Sequence, residues 1–116
     1  MDRRLWATTV LSLLLGVACD AAAKDYPDKP INIVVPYPPG GGNDNISRMV
    51  AKQLEEKLKV AVVVDNKGGG GGTIGVNLLK QSKPDGYTLA TIPSGPLDVN
   101  QAIMSGTSYD RTKDFT

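Results

Sequence analysis

The sequence predicts an α/β fold, a parallel βαβαβ unit built from three short β-branched stretches and the turns that end them. Residues 31–35 (INIVV), 60–64 (VAVVV) and 87–92 (YTLATI) have the length and composition of strands. The first two run into proline- and glycine-rich turns, and each turn opens onto a stretch with helical spacing of apolar residues. Short connections of this kind make the sheet parallel, with the first strand between the other two. Both glycine-rich turns then fall on the edge where open α/β sheets bind ligands.

Residues 1–23 read as a targeting segment. Arg3 and Arg4 supply a positive start, residues 5–18 are apolar apart from Thr8, Thr9 and Ser12, and Ala21, Ala22 and Ala23 form a small-residue cleavage site. The run is short for a membrane span, so the expectation is a cleaved secretory signal, with a retained anchor as the alternative. Cys19 is the only cysteine. Residues 15–19 (LGVAC) look like a degraded lipoprotein signal with glycine in place of leucine; acylation of Cys19 is the sharper reading, cleavage after Ala23 the plainer one. Residues 24–116 are short for a self-contained α/β domain and are expected to be part of a longer fold.

Composition narrows the function classes. The chain has no histidine, which excludes from it metal sites built on His or Cys, Ser-His-Asp triads and Cys-His dyads. Basic and acidic residues number 13 and 12; the leader takes Arg3, Arg4, Asp2 and Asp20 with it, leaving 11 and 10. Only 5% of residues are aromatic. No basic, aromatic-studded face for nucleic acid is implied.

Each element follows in order. Residues 24–30 (KDYPDKP) are a polar, proline-bearing lead-in, and residues 31–35 are a strand buried on both faces. Pro36, Pro38 and Pro39 end it in a stiff turn, while Gly40, Gly41 and Gly42 allow left-handed backbone and close approach of a ligand. Asn43 or Asp44 is the expected N-cap of the first helix, whose buried face is expected to be Ile46, Met49, Val50, Leu54 and Leu58. The strand at 60–64 leads through Asp65, Asn66 and Lys67 to five glycines. Residues 73–82 form a second helix with Ile74, Leu78 and Leu79 inward. Pro84, Asp85 and Gly86 turn into the third strand, Pro93, Ser94, Gly95 and Pro96 turn out of it, and residues 98–104 suit a short helix.

The two glycine turns are the candidate ligand contacts. Main-chain N–H groups at a helix start, with the positive end of its dipole, suit a carboxylate or phosphate without any cationic side chain. The bland alternative is that the glycines merely permit tight turns. Asp44 would repel an anion if it faced the crevice, so a capping role is favoured; Arg48 can pair with Asp44 at i, i+4 or reach a ligand. Gly70, Gly72 and Gly75 also satisfy G-x-G-x-x-G, but the acidic residue expected at the end of the next strand is absent, and no lysine follows the glycines as a phosphate loop requires.

Residues 34–48 (VVPYPPGGGNDNISR), 62–75 (VVVDNKGGGGGTIG), 83–90 (KPDGYTLA) and 108–116 (SYDRTKDFT), with Tyr26-Pro27 after the leader, together resemble the Bug-type receptors of tripartite tricarboxylate transporters. The resemblance implies the start of domain 1 of a two-domain periplasmic-binding-protein fold of the Venus-flytrap kind, with the second domain absent from this chain. It implies a periplasmic solute-binding protein, not an enzyme, without cofactor or metal. Its partners would be a small organic carboxylate, di- or tricarboxylate, and the membrane components of the transporter, with the receptor a monomer. Tyr37, Pro39, Gly40, Gly41 and Gly42 from the first turn, and Gly69, Gly70, Gly71, Gly72 and Thr73 from the second, would form one half of the ligand cleft, completed by Ser94 and Gly95. These loops would hold the carboxylate through main-chain groups and ordered water. Departures are glycine at 68 and 70, where the family has proline and alanine, Lys59 and Ala61 before the second strand, and Arg111 in place of a proline. The extra glycines predict a floppier loop. A Rossmann-type nucleotide-binding enzyme fragment and a non-functional truncated product are the rival readings.

Overall fold

The computed structural model describes residues 25–105 and 107–115; the leader at 1–23, with Cys19, lies outside them. β1 (Ile31–Val35) is the middle strand of a three-stranded parallel sheet ordered β2-β1-β3, the order the turns predict. β2 (Val62–Asn66) pairs with it from Ile31↔Val62 to Val35↔Asn66, and β3 (Thr88–Ala90) from Asn32↔Thr88 to Val34↔Ala90. Flanked on both sides, β1 buries Ile31, Ile33, Val34 and Val35 almost completely, so apolar residues occupy both of its faces.

The first helix, α1 (Gly42–Leu58), packs over β1 and β2. Its inward face is not the predicted one. Ile46, Met49 and Val50 are exposed, and the buried residues are Asp44, Ser47 and Ala51, with Leu54 and Leu58 partly buried against Ile31, Ile33 and Val62. The cause is polar satisfaction. Ser47 Oγ donates to the Asn43 carbonyl at 2.6 Å and bonds the Thr91 hydroxyl, so its burial leaves no polar atom unpaired, and two small residues let the helix sit close to the sheet. A hydrophobicity period cannot register a buried serine or aspartate, and it places the apolar stripe one flank away from the true contact.

β2 starts two residues later than its composition suggests. α1 ends on Lys59, whose φ of 59° is left-handed and whose N–H bonds to the Glu55 carbonyl at 3.0 Å. Val60 and Ala61 complete the turn back to the sheet, and the Ile31 N–H begins the ladder on the Ala61 carbonyl at 2.9 Å. Glu55 accepts the Val62 N–H at 2.9 Å, so α1 also grips the first residue of β2. β3 is shorter than the stretch 87–92; the Asn32 N–H to Tyr87 carbonyl and Thr91 N–H to Val34 carbonyl bonds close its ladder at 2.8 and 3.1 Å.

α2 (Thr73–Gln81) follows a 3₁₀ turn at Gly70–Gly72 and packs over β1 and β3. It buries Gly75 and Val76, whereas Ile74 and Leu78 are exposed and Leu79 is half-buried. Gly75 determines that orientation, because its Cα lies against Pro36, where a Cβ would come within 2.9 Å of the proline Cα. After β3 a π-turn, Gly95–Val99, runs into α3 (Asn100–Ile103). α4 (Arg111–Asp114) is capped by Asp110, whose carboxylate accepts the Thr112 N–H at 2.9 Å. The lead-in is strapped to the amino ends of the strands, away from the turns: the Tyr26 hydroxyl donates to the Gly86 carbonyl at 2.7 Å, and Lys29 Nζ sits 4.2 Å from the Tyr87 ring centroid. Among the described residues no helix is long and apolar enough to cross a membrane.

Left-handed backbone at a residue with a Cβ is strained by about 1–2 kcal/mol, and glycine removes that strain at the end of a helix. Lys59→Gly is therefore expected to raise stability by about 0.5–1 kcal/mol after the glycine's greater unfolded freedom is subtracted. A higher urea midpoint with an unchanged slope is the result to look for; a lower midpoint would show that the turn is not left-handed.

Candidate functional site

Three turns meet at the carboxyl ends of the strands: residues 36–42 after β1, residues 67–72 after β2 and residues 91–96 after β3. Prolines and glycines hold them in contact. Gly68 lies against Pro38, where a Cβ would be 3.2 Å from the ring, and Gly72 lies against Pro96, where it would be 2.5 Å from Cγ. Gly72 and Pro96 are buried, while Pro39, Gly41, Gly42, Gly69, Gly70, Gly71 and Ser94 are exposed and Gly95 is half-buried.

The first turn is shaped by Asp44. The N-cap of α1 is Gly41, and neither Asn43 nor Asp44 takes that position. Asp44 lies inside the first helical turn and reaches back: Oδ2 accepts the Gly40 N–H at 2.9 Å and Arg48 Nε at 3.0 Å, and Oδ1 accepts Asn66 Nδ2 at 3.0 Å. Asn66 Nδ2 also donates to the Tyr37 carbonyl at 3.0 Å, and Arg48 Nη2 donates to Asn66 Oδ1 at 3.2 Å. Helix, turn and strand end are joined through one carboxylate that is only 3% exposed. The Arg48 hydrogen bond, then the Gly40 N–H and the Asn66 amide, hold its pKa down to about 2 against the opposing pull of burial. Arg48 is thus engaged by Asp44, the blander of the two roles open to it.

This geometry sorts the predicted contacts. The Gly40 N–H is committed to Asp44, with φ at 92° bringing it round. Gly41 accepts the Asn45 N–H at 3.0 Å to begin the helix, which leaves the N–H groups of Gly41, Gly42 and Asn43 at the open end of α1 without an acceptor among the described residues. Tyr37 contributes its carbonyl to Asn66.

In the second turn Gly69, Gly70, Gly71 and Gly72 are left-handed in succession, with φ of 123°, 56°, 64° and 94°. The Gly69 and Gly70 carbonyls turn inward, and the Gly71 carbonyl, opposite the inward Gly72 N–H, turns out towards α3. Gly69 O accepts the Gly72 N–H at 2.9 Å, Gly70 O accepts the Thr73 hydroxyl at 2.8 Å and its N–H, and Gly71 O accepts Asn100 Nδ2 at 2.9 Å. In a trans peptide the N–H opposes the C=O, so the N–H groups of Gly70 and Gly71 point out of the turn. Gly72, buried under Pro96 with its N–H used, is a packing residue, and the Thr73 hydroxyl anchors the turn.

Sequence reasoning missed Asn66 and Asn100, and offered Asn43 only as an N-cap. Asn43 Nδ2 donates to the Thr91 carbonyl at 2.7 Å, joining the first turn to the third. Their signal is an asparagine at a strand or helix end beside a glycine turn, which a residue-by-residue reading passes over. The basic residues beside the turns are paired: Arg48 with Asp44, and Lys67 with Asp65 at 3.2 Å. Among the described residues no group of three acidic, histidine or cysteine side chains is placed to hold a metal. An open depression of about 410 Å³, lined by Asp98, Gln101, Ala102, Asp110, Arg111 and Thr112, lies on the flank of α3.

Asp44 makes stability depend on pH in a stated direction. Its folded pKa of about 2 lies below the ordinary 3.8, so its contribution is complete above pH 3.8 and is lost as pH falls from there towards 2. Urea unfolding between pH 5 and 2 is expected to show a falling midpoint in the native chain. Asp44→Asn is expected to have a lower midpoint at pH 7 and a shallower acid limb; parallel curves for the two would remove Asp44 from the account.

The model of the tripartite tricarboxylate transporter family receptor matches residues 46–116. Protein BugT of Bordetella pertussis is 37% identical over 116 residues, covering 99% of this chain and 36% of its own length. The chain thus spans about a third of that relative. A solved structure described as a periplasmic transporter superposes with a TM-score of 0.73 at 40% identity, over 76% of this chain and 30% of the other. MatC from Rhodopseudomonas palustris, solved with bound malate, superposes with a TM-score of 0.74 at 28% identity, over 78% and 31%. Periplasmic binding proteins therefore share this βαβαβ arrangement, and the chain, matched by the family model over more than half its length, belongs to the tripartite tricarboxylate transporter receptor family.

Proposed function

We propose that this chain is part of an extracytoplasmic receptor that captures a small di- or tricarboxylate for a tripartite tricarboxylate transporter, residues 24–116 providing one wall of a two-walled cleft. Residues 1–23 act as its periplasmic export signal, with soluble release after Ala23 rather than an acyl anchor on Cys19 as the mature form. The receptor works as a monomer, is not an enzyme, and delivers its ligand to the membrane components of the transporter.

The observation that carries this reading is the row of outward main-chain donors on adjacent turns: Gly41, Gly42 and Asn43 at the start of α1, Gly70 and Gly71 in the second turn. Such donors are complementary to a carboxylate and need no cationic side chain, and the basic residues beside them are already paired. Ser94 and Gly95, exposed and half-buried at the third turn, are the residues this reading assigns to the rest of that wall. Bound malate in MatC supports a dicarboxylate as the ligand class. The G-x-G-x-x-G reading is less well supported, because Gly72, its second glycine, is covered by the Pro96 ring where a pyrophosphate would need access to the backbone.

Hydrogen bonds to a charged group contribute about 1.5–3 kcal/mol each, and millimolar affinity corresponds to about 4 kcal/mol, so one wall with two or three such bonds is expected to bind weakly, near millimolar. Titration of the full chain with malate, followed by amide nuclear magnetic resonance, is expected to shift Gly41, Gly42, Gly70 and Gly71 first. Shifts at these amides with a neutral sugar but none with malate would overturn the carboxylate reading.

A further inference from the structure

We propose that Asn100, 29 residues beyond Gly71 of the second glycine turn, is a positioning residue that sets the direction of that turn's ligand-facing N–H groups. The proposal deepens the carboxylate reading and rests on it for its effect on binding.

The turn's own hydrogen bonds leave one peptide unit unsecured at its oxygen. Gly69 O is held by the Gly72 N–H and Gly70 O by Thr73, both within the turn. Gly71 O has no such local partner, and it is held by Asn100 Nδ2 at 2.9 Å. With four consecutive left-handed glycines the backbone has no side chain to limit it, so without Asn100 the Gly71–Gly72 peptide is held only through its N–H on Gly69 O. Rotation of the Gly71–Gly72 peptide would carry the Gly72 N–H off Gly69 O. The loss of that bond frees the Gly69–Gly70 peptide, which bears the outward Gly70 N–H.

The arm that carries Asn100 is built for this contact. A π-turn holds one residue more than an α-turn, so Asn100, whose N–H closes Gly95–Val99 on the Gly95 carbonyl, is set further round the axis than a regular helix would place it. The same π-turn carries Pro96, whose ring covers Gly72. Pro96 is held in turn by Tyr109, a residue only 3% exposed whose hydroxyl donates to the Pro96 carbonyl. Ser108 closes the circuit back to α2: its hydroxyl donates to Asn77 Oδ1 at 2.6 Å, and its carbonyl accepts Lys80 Nζ at 2.5 Å. The glycine turn is thus braced from both ends by elements that follow it in the chain.

Asn100→Asp keeps the shape and replaces the donor by a carboxylate, and Asn100→Ala removes the group. In the full chain both are expected to lower the ¹H–¹⁵N order of Gly70, Gly71 and Gly72 while the amides of β1 keep their shifts, and to weaken malate binding about tenfold through lost preorganisation. In the unaltered chain one Asn100 side-chain amide proton is expected to exchange slowly with solvent, a measurement that stands even if a variant does not fold. Unchanged glycine order in Asn100→Asp, or fast exchange of both amide protons in the native chain, would overturn the proposal. Loss of glycine order in a chain whose native form ignores malate would sustain the positioning role and sink the carboxylate reading instead.

Discussion

The arrangement at the carboxyl edge of the sheet depends on a carboxylate kept charged out of water, because Asp44 is the point at which three separately formed pieces of backbone are made to agree. A buried charge is costly unless every lone pair has a partner, and here the partners come from the Gly40 turn, the end of β2 through Asn66, and Arg48 on the same helix. The Gly40 and Arg48 contacts are local to the helix and its turn, and the Asn66 contact ties them to the end of β2. The pairing of β1 with β2, the close of the first turn and the rotation of α1 consequently meet at one side chain. That linkage explains why α1 turns Asp44, Ser47 and Ala51 inward and leaves Ile46 and Met49 in solvent.

The second turn is organised on a different principle. It has no side chains of its own until Thr73, and its shape is imposed by what surrounds it: proline rings at Gly68 and Gly72, the amide of Asn100 at Gly71. The first wall element is therefore determined from within and the second from without. Pro36 serves both, since it ends β1 and also takes up the space that Gly75 leaves on α2.

Much of this was legible beforehand. The bounds of β1, the parallel order with β1 in the middle and the Asp44–Arg48 pair follow from β-branched composition, short connections and i, i+4 spacing, which are local properties. What was not legible is long in range or hidden by polarity. The start of β2 depends on a left-handed Lys59, a conformation lysine rarely adopts, and the inward face of α1 depends on Ser47 meeting Thr91, 44 residues away. Asn66 and Asn100 act on carbonyls 29 residues distant in each case, and no periodicity announces a pairing of that kind. The donor inventory was also too generous, because Gly40 and Gly72 use their N–H groups to build the turns in which they sit.

The five-glycine run looks like a low-complexity tract, interchangeable from one position to the next, yet its members are held as glycine for different reasons. At Gly69 and Gly70 the left-handed backbone itself strains any residue with a Cβ, and at Gly70 the new atom would also displace the Thr73 hydroxyl that anchors the turn. At Gly72 it would meet the Pro96 ring, and at Gly75, just beyond the run, the Pro36 backbone, neither of which can yield. Drift in a population of such sequences is thus resisted twice over: the exposed glycines are kept by their left-handed backbone, and Gly72 by the proline ring above it as well. A homopolymeric stretch here encodes a lip fixed by conformation and a seat fixed by packing.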